Sequence, residues 1–327
     1  MLHKLILIIL FGLYQVSVIN SKKLRIIEGE FALPGQFPHQ VSIQDLSGDN
    51  CTRHVCGGSI IDEWHILTAA HCVTSNLFHE FNNKPITIVA GTIDLLNRTS
   101  AVYHDVELIF MPHSYTLNGY EEYKDDIAIL KLRDPLSLDS HPYLRAVKLP
   151  ASDQYLPPDN LNAVMSGFGV FKEFLKNGTW RLSYKSRYLR YAYGVINVPE
   201  PKGCLDSQIC VKSLSAYIGR LEGVCNGDSG GPLYDEATNT LIGITSHKVY
   251  DRCGTVARFT RVSSFLDFIN KVVFNRIDST ILFTKQSHNN AIEFPHRTIK
   301  IASPIELISA AVYSARACIG NRFSSRS

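Results

Sequence analysis

Cys225-Asn226-Gly227-Asp228-Ser229-Gly230-Gly231-Pro232-Leu233 is the stretch on which the reading of this 327-residue chain turns. Between Gly227 and Pro232, glycines and a proline crowd around one aspartate and one serine. Such a run demands a tight backbone that presents a single hydroxyl. Two further stretches lie upstream. Leu67-Thr68-Ala69-Ala70-His71-Cys72 follows Cys56-Gly57-Gly58-Ser59, and Asp125-Asp126-Ile127-Ala128-Ile129-Leu130 comes later. A histidine before a cysteine, or an acid leading a strand, is by itself more often structural than chemical. In the order His, Asp, Ser, the three together make a purely structural reading of each untenable. A serine hydroxyl attacks poorly at neutral pH unless a base removes its proton. Histidine both accepts and returns that proton near working pH, and a buried carboxylate fixes its tautomer and stabilises the imidazolium.

Around these motifs, residues 26 to about 273 break into short β-rich runs punctuated by Gly, Pro, Asn and Asp. Residues 39–43, 86–90, 127–132, 241–246 and 258–262 are predicted strands. Helical periodicity is clear once, at Phe265, Phe268, Ile269 and Val272. Many short strands with one closing helix point to an antiparallel barrel or sandwich.

On these motifs the chain resembles the trypsin-like (chymotrypsin-fold) serine endopeptidases over residues 26–273. The resemblance implies an all-β fold of two antiparallel six-stranded β-barrels with the site in the cleft between them and a C-terminal helix at 263–273. It implies His71 as general base, Asp126 as its carboxylate and Ser229 as nucleophile, with Gly227 and Ser229 N–H groups as the oxyanion hole and Ser246 bonded to the carboxylate. It also implies bridges Cys56–Cys72, Cys204–Cys210 and Cys225–Cys253, leaving Cys51 and Cys318 either bridged or free. Arg25-Ile26-Ile27-Glu28-Gly29 resembles the family's activation site: cleavage after Arg25 would free the Ile26 amine to pair with Asp228. Ser42 and His54 are then expected to hold Asp228 before cleavage.

Specificity is expected from Gly223, Ser246, Lys248 and Ala257. Gly223 stands where trypsin-like enzymes keep an aspartate, so cutting after Lys or Arg is not expected. Gly223 with Ala257 resembles chymotrypsin-like and brachyurin-type arthropod proteases. The order of preference before the scissile bond is apolar or aromatic, then small, then acidic, the last because Lys248 replaces a glycine at the pocket mouth. A protease homologue that has lost activity and serves as a secreted binding or regulatory protein is the alternative.

The ends carry different information. Residues 1–21, with His3, Lys4 and an apolar run over 5–13, read as a secretory signal, and 22–25 as a short activation propeptide. Export implies paired cysteines; sequons at Asn50, Asn97 and Asn177 fit that route. Residues 274–327 form an extension of unassigned role, with a helix predicted at 304–317 from Ser303-Pro304-Ile305-Glu306.

With 45% apolar and 19% charged residues the chain is globular, not disordered. Its net charge of +3 resides in the two ends, and the body between them is mildly acidic. Nucleic-acid binding is thereby set aside. No membrane span is expected beyond the leader. The loop Thr92-Ile93-Asp94 lacks the glutamate that begins the family's calcium loop, and no compact ligand set suggests zinc, so no metal or cofactor is expected. The expected partners are protein or peptide substrates, an activating protease and protein inhibitors, with the enzyme a secreted, extracellular monomer.

Overall fold

The computed structural model describes residues 29–46, 52–75, 80–82, 85–115, 123–153, 155, 157–158, 161–182, 184–196, 203–218, 221–250 and 252–286. The leader, Arg25, Ile26, Asn50, Cys51, Cys318 and the helix predicted at 304–317 lie outside them.

Period-two alternation builds the first barrel. In β2 (Gln40–Leu46), Val41 and Ile43 turn inward, and in β5 (Ile86–Ala90), Ile86, Ile88 and Ala90 do the same. They meet Val106 and Ile109 of β6 (Val102–Pro112), Ala128 and Leu130 of β7 (Ala128–Leu132), Ile60 of β3 (Thr52–Ile60) and Ile66 of β4 (His65–Thr68). The strand order β6-β5-β2-β3-β4-β7 closes through a β6–β7 pairing.

The second barrel runs β11 (Arg190–Ile196), β12 (Gln208–Ser213), β15 (Val256–Arg261), β14 (Thr240–Lys248), β13 (Pro232–Asp235) and β8 (Asn162–Gly167). It closes by pairing β8 with β11. Met165, Ala192, Ile209, Leu233 and Phe259 fill it. Both barrels are closed, six-stranded and antiparallel, as expected.

Helix α1 (Leu266–Val273) follows a 3-10 turn over Val262–Phe265. Its Phe268, Ile269 and Val272 pack with Phe110, Ile129 and Val147 of the first barrel and Leu241 and Ile244 of the second. Three buried large side chains contribute about 1.5–3 kcal/mol each, so α1 bolts the barrels together.

Each end of the described chain adds a strand to the opposite barrel. β1 (Glu30–Phe31) pairs with β11, and β16 (Ile281–Lys285) pairs with β6. The extension beginning at 274 therefore does not leave the fold at once: Ile281 is buried, and Lys271 of α1 pairs with Asp278 at 3.0 Å. The expected closing helix did not foretell this strand, because Ile281–Lys285 gains its partner only when β6 is present. A hairpin of β9 (Glu173–Lys176) and β10 (Thr179–Leu182) turns at Asn177-Gly178, with φ of 52° and 72°. Asn-Gly is the sequence that favours this turn.

Candidate active site

His71 lies in the 3-10 turn Ala70–Cys72 directly after β4, and Asp126 just ahead of β7, the strand paired to β4. This pairing brings residues 55 positions apart into contact. The Asp126 carboxylate, with no exposed surface, accepts His71 Nδ1–H at 2.8 Å and the His71 backbone N–H at 3.0 Å. Ser246 Oγ, from the second barrel, donates to it at 2.5 Å. Burial alone would raise the Asp126 pKa, but the charge and hydrogen bonds of His71 and the Ser246 bond hold it below its ordinary value. Burial likewise opposes protonation of His71, yet the Asp126 charge and hydrogen bond raise its pKa. A base that gains affinity for a proton through a buried carboxylate is the arrangement that serine activation needs.

Ser229 enters from the second barrel on the turn before β13. Its carbonyl accepts Gly57 N–H at 2.7 Å, and Gly230 N–H donates to Thr245 O at 2.7 Å. The turn requires glycine at 230: φ is 76°, and a Cβ there would lie 2.1 Å from Thr68 Oγ1. That close approach seats the serine against the segment leading into His71. Among the described residues no hydrogen bond joins Ser229 Oγ to His71. Such bonds are often long in free enzymes and tighten with substrate.

The preceding Asp228 is buried beneath Gly169, where a Cβ would lie 2.4 Å from its carboxyl carbon. Its oxygens accept N–H groups of Gly169 at 2.8 Å and Cys225 at 2.9 Å. Burial nonetheless pushes its pKa up to about 6. The expected bond from His54 to Asp228 is replaced. Ser42 Oγ and His54 Nδ1 are 2.8 Å apart, and His54 Nε2 donates to Gly227 O at 2.8 Å. A carbonyl can only accept, so Nε2 carries the proton and the ring is neutral. Burial and the neighbouring Lys185 charge lower its pKa to about 3.

The bridges Cys56–Cys72, Cys204–Cys210 and Cys225–Cys253 are formed. Near the last lies a small cavity lined by Gly223, Lys248 and Ala257 among others. Met165, Val211, Ser213, Val224, Gly254, Thr255 and Val256 complete its largely apolar lining. Ser246, expected with Gly223, Lys248 and Ala257, is not among the residues lining this cavity; its Oγ is bonded to Asp126 instead. Gly223 has φ 150°, and a Cβ on it would approach Gly254 Cα to 3.2 Å, so the backbone itself disfavours a charged residue on the floor.

Two side chains beside the histidine carried no sequence signal. Tyr123, at φ 59°, lies edge-on to His71 with centroids 5.3 Å apart and stacks on His247 at 4.7 Å. Burial, then the Arg258 charge, lowers the His247 pKa to about 4. A tyrosine in the left-handed region could not have been read from its own sequence. In the loop after β5, Arg187 Nε donates to Asp94 Oδ1 at 2.9 Å. Among the described residues no helix is long and apolar enough to cross a membrane.

Comparison with known proteins agrees with this geometry. The family model described as Trypsin matches residues 26–269. The chain is 30% identical to Chymotrypsin-C of Mus musculus over 261 residues, covering 76% of this chain and 89% of that one. It is 32% identical to Chymotrypsin-2 of Vespa crabro over 250 residues, covering 75% and 99%. The solved structure of human heparin binding protein superposes with a TM-score of 0.59 at 28% identity, covering 76% and 97%. This chain belongs to the trypsin family, and it is a serine endopeptidase acting on proteins.

Proposed function

We propose that the protein is a secreted endopeptidase, made as a zymogen cleaved after Arg25, that cuts after apolar or aromatic residues through Ser229, His71 and Asp126. Small residues rank second and acidic ones third. The observation that carries the proposal is the buried Asp126 carboxylate. It takes His71 Nδ1–H and Ser246 Oγ–H, with the Ser229 turn fastened to Gly57 of β3 and Thr245 of β14. In the reaction Ser229 Oγ adds to the scissile carbonyl carbon while its proton passes to His71 Nε2. Asp126 stabilises the imidazolium, and the N–H groups of Gly227 and Ser229 receive the oxyanion, each such donor being worth about 10²–10³ in rate. Collapse breaks the C–N bond and the departing amine takes the proton from His71. Water then repeats the sequence on the acyl-enzyme and frees Ser229.

Activation follows from Asp228. Its hydrogen bonds come from two backbone N–H groups, and burial still pushes its pKa up to about 6 despite the Lys185 charge; an Ile26 ammonium would add a direct charge partner. Gly223, Val211, Val224, Val256 and Ala257 give the cavity an apolar body, while Lys248 supports the acidic option. Chain cleaved at Arg25 is expected to be labelled stoichiometrically at Ser229 by an acylating organophosphate and to cut a peptide library after large apolar residues. Labelling equal to that of S229A, or cutting confined to Lys and Arg, would overturn the mechanism or the specificity respectively.

A further inference from the structure

His247 takes no part in the reaction above, yet it touches Ser246 on one side and Tyr123 on the other. It lies on β14 opposite Arg258 of β15, and the register of the two strands slips between Thr245 and His247. Adjacent side chains of a regular strand point to opposite faces. The bulge at Ser246 re-aims them. Ser246 Oγ reaches Asp126 Oδ2 at 2.5 Å, while the His247 ring stacks on Tyr123, which is itself edge-on to His71.

The partners of both ring nitrogens have fixed roles. Arg258 Nη1 faces Nε2 at 3.4 Å, the longest contact of the set, and a guanidinium can only donate. Nε2 is therefore the acceptor. Burial and the Arg258 charge lower the His247 pKa to about 4, so the ring is neutral at pH 7 and its one proton sits on Nδ1. Nδ1 stands 3.2 Å from Ser246 Oγ. The Asp126 carboxylate only accepts, so it takes the single hydroxyl hydrogen of Ser246, and Oγ is left to accept from Nδ1–H. With the proton on Nε2 instead, Nδ1 would compete with Asp126 for that hydrogen. Every donor thus points the same way, from Arg258 through His247 and Ser246 to the carboxylate that also holds His71. Hydrogen bonds aligned in this manner polarise one another. We propose that His247 is a positioning residue whose Nδ1–H fixes and polarises the Ser246 hydroxyl, strengthening its bond to Asp126 while His71 carries the proton. The proposal rests on the reading of His71, Asp126 and Ser229 as the reacting group, and it adds a second histidine that acts on them from the second barrel.

The test uses the chain cleaved at Arg25 and a peptide anilide with a large apolar residue before the scissile bond. H247F keeps a ring for Tyr123 but has no nitrogen. It should lose about three- to tenfold in kcat, the range of one neutral hydrogen bond, at an unchanged KM. H247N places an N–H where Nδ1 stands and lacks the ring, so its kcat should stay within about twofold of the parent's. In an S246A background H247F should cost less than about twofold more, because the hydroxyl through which it acts is gone. A parent-like kcat in H247F overturns the proposal. So does a loss that H247N shares, or one that persists in full in S246A, since either makes the role merely structural. A second readout needs no activity and no folded variant. With both ring nitrogens of histidine isotopically labelled, the His247 signal in nuclear magnetic resonance should show Nδ1 protonated and Nε2 bare at pH 7. A proton on Nε2 refutes the proposal. If the parent enzyme cleaves neither the anilide nor a nitrophenyl ester, the protease reading falls instead, and the bond from His247 to Ser246 stands or falls on that tautomer.

Discussion

Replacing Asp126 by asparagine removes a charge and leaves the shape, which makes it the sharpest perturbation of this site. Three hydrogens point at the carboxylate: the His71 backbone N–H at Oδ1, and His71 Nδ1–H with Ser246 Oγ–H at Oδ2. An amide has only one oxygen. Placed at Oδ2, it turns its NH₂ onto the His71 backbone N–H, which cannot become an acceptor. Placed at Oδ1, it turns NH₂ onto His71 Nδ1 and Ser246 Oγ, which both can. The second arrangement wins, and it forces the proton of the neutral imidazole onto Nε2, where it cannot receive the Ser229 proton. The lost charge adds to this. Two unit charges about 4 Å apart attract by about 4 kcal/mol at an effective dielectric of about 20. Reducing a charge-assisted hydrogen bond to a neutral one costs about 1–2 kcal/mol more. A total near 5–6 kcal/mol corresponds to about 10⁴ in rate. D126N is thus expected to lose about 10⁴ in kcat/KM on a nitrophenyl ester. The adjacent D125N, whose backbone at φ 56° asparagine tolerates, should stay within about twofold. A D126N enzyme with an unchanged melting temperature and more than about a tenth of parent activity would refute the reasoning.

Three further outcomes follow from the fold. The raised pKa of Asp228 means that its protonated form favours the folded state, so this contribution is present below pH 4 and lost as pH rises to about 6. The uncleaved chain should therefore lose melting temperature relative to D228N across that interval, and a parallel pH dependence of the two would contradict the assignment. Ending the chain at 274 removes β16 and the burial of Ile281. It should cost about 2–4 kcal/mol in denaturant unfolding, and an unchanged midpoint would show that the strand contributes nothing. G223D should not yield an efficient enzyme for Lys or Arg substrates, because φ 150° strains any side chain there by about 1–3 kcal/mol. Trypsin-like kcat/KM in this variant would show that the backbone relaxes freely.

Several features were legible before any coordinates. The strands of both barrels could be read because alternation along Val41 and Ile43, or Ile86, Ile88 and Ala90, reports one buried face. The 86–90 strand was delimited to the residue, while the strand expected from 258 begins at Val256 and carries on from a tight turn. Helix α1 could be read because Phe268, Ile269 and Val272 share a face. The Asn177-Gly178 hairpin was also legible in principle, since its two left-handed residues are adjacent in sequence. β16 was not. Ile281–Lys285 is a short run whose partner lies some 170 positions earlier, so its pairing belongs to the assembled barrel.

The sequence by itself determined the chemical types at the site: a serine between glycines, a histidine before a cysteine, an acid at the head of an apolar strand, and a neutral pocket floor at Gly223. Those features are local, because each depends on the backbone conformation or side-chain chemistry of a few consecutive residues. Only the tertiary structure decided who bonds to whom. It turned His54 onto Gly227 O instead of Asp228, stacked Tyr123 on His247 and laid Lys185 across Gly227. These contacts join segments separated by tens to more than a hundred residues, and their energies depend on distances of a few ångströms that exist only once the two barrels have closed against each other.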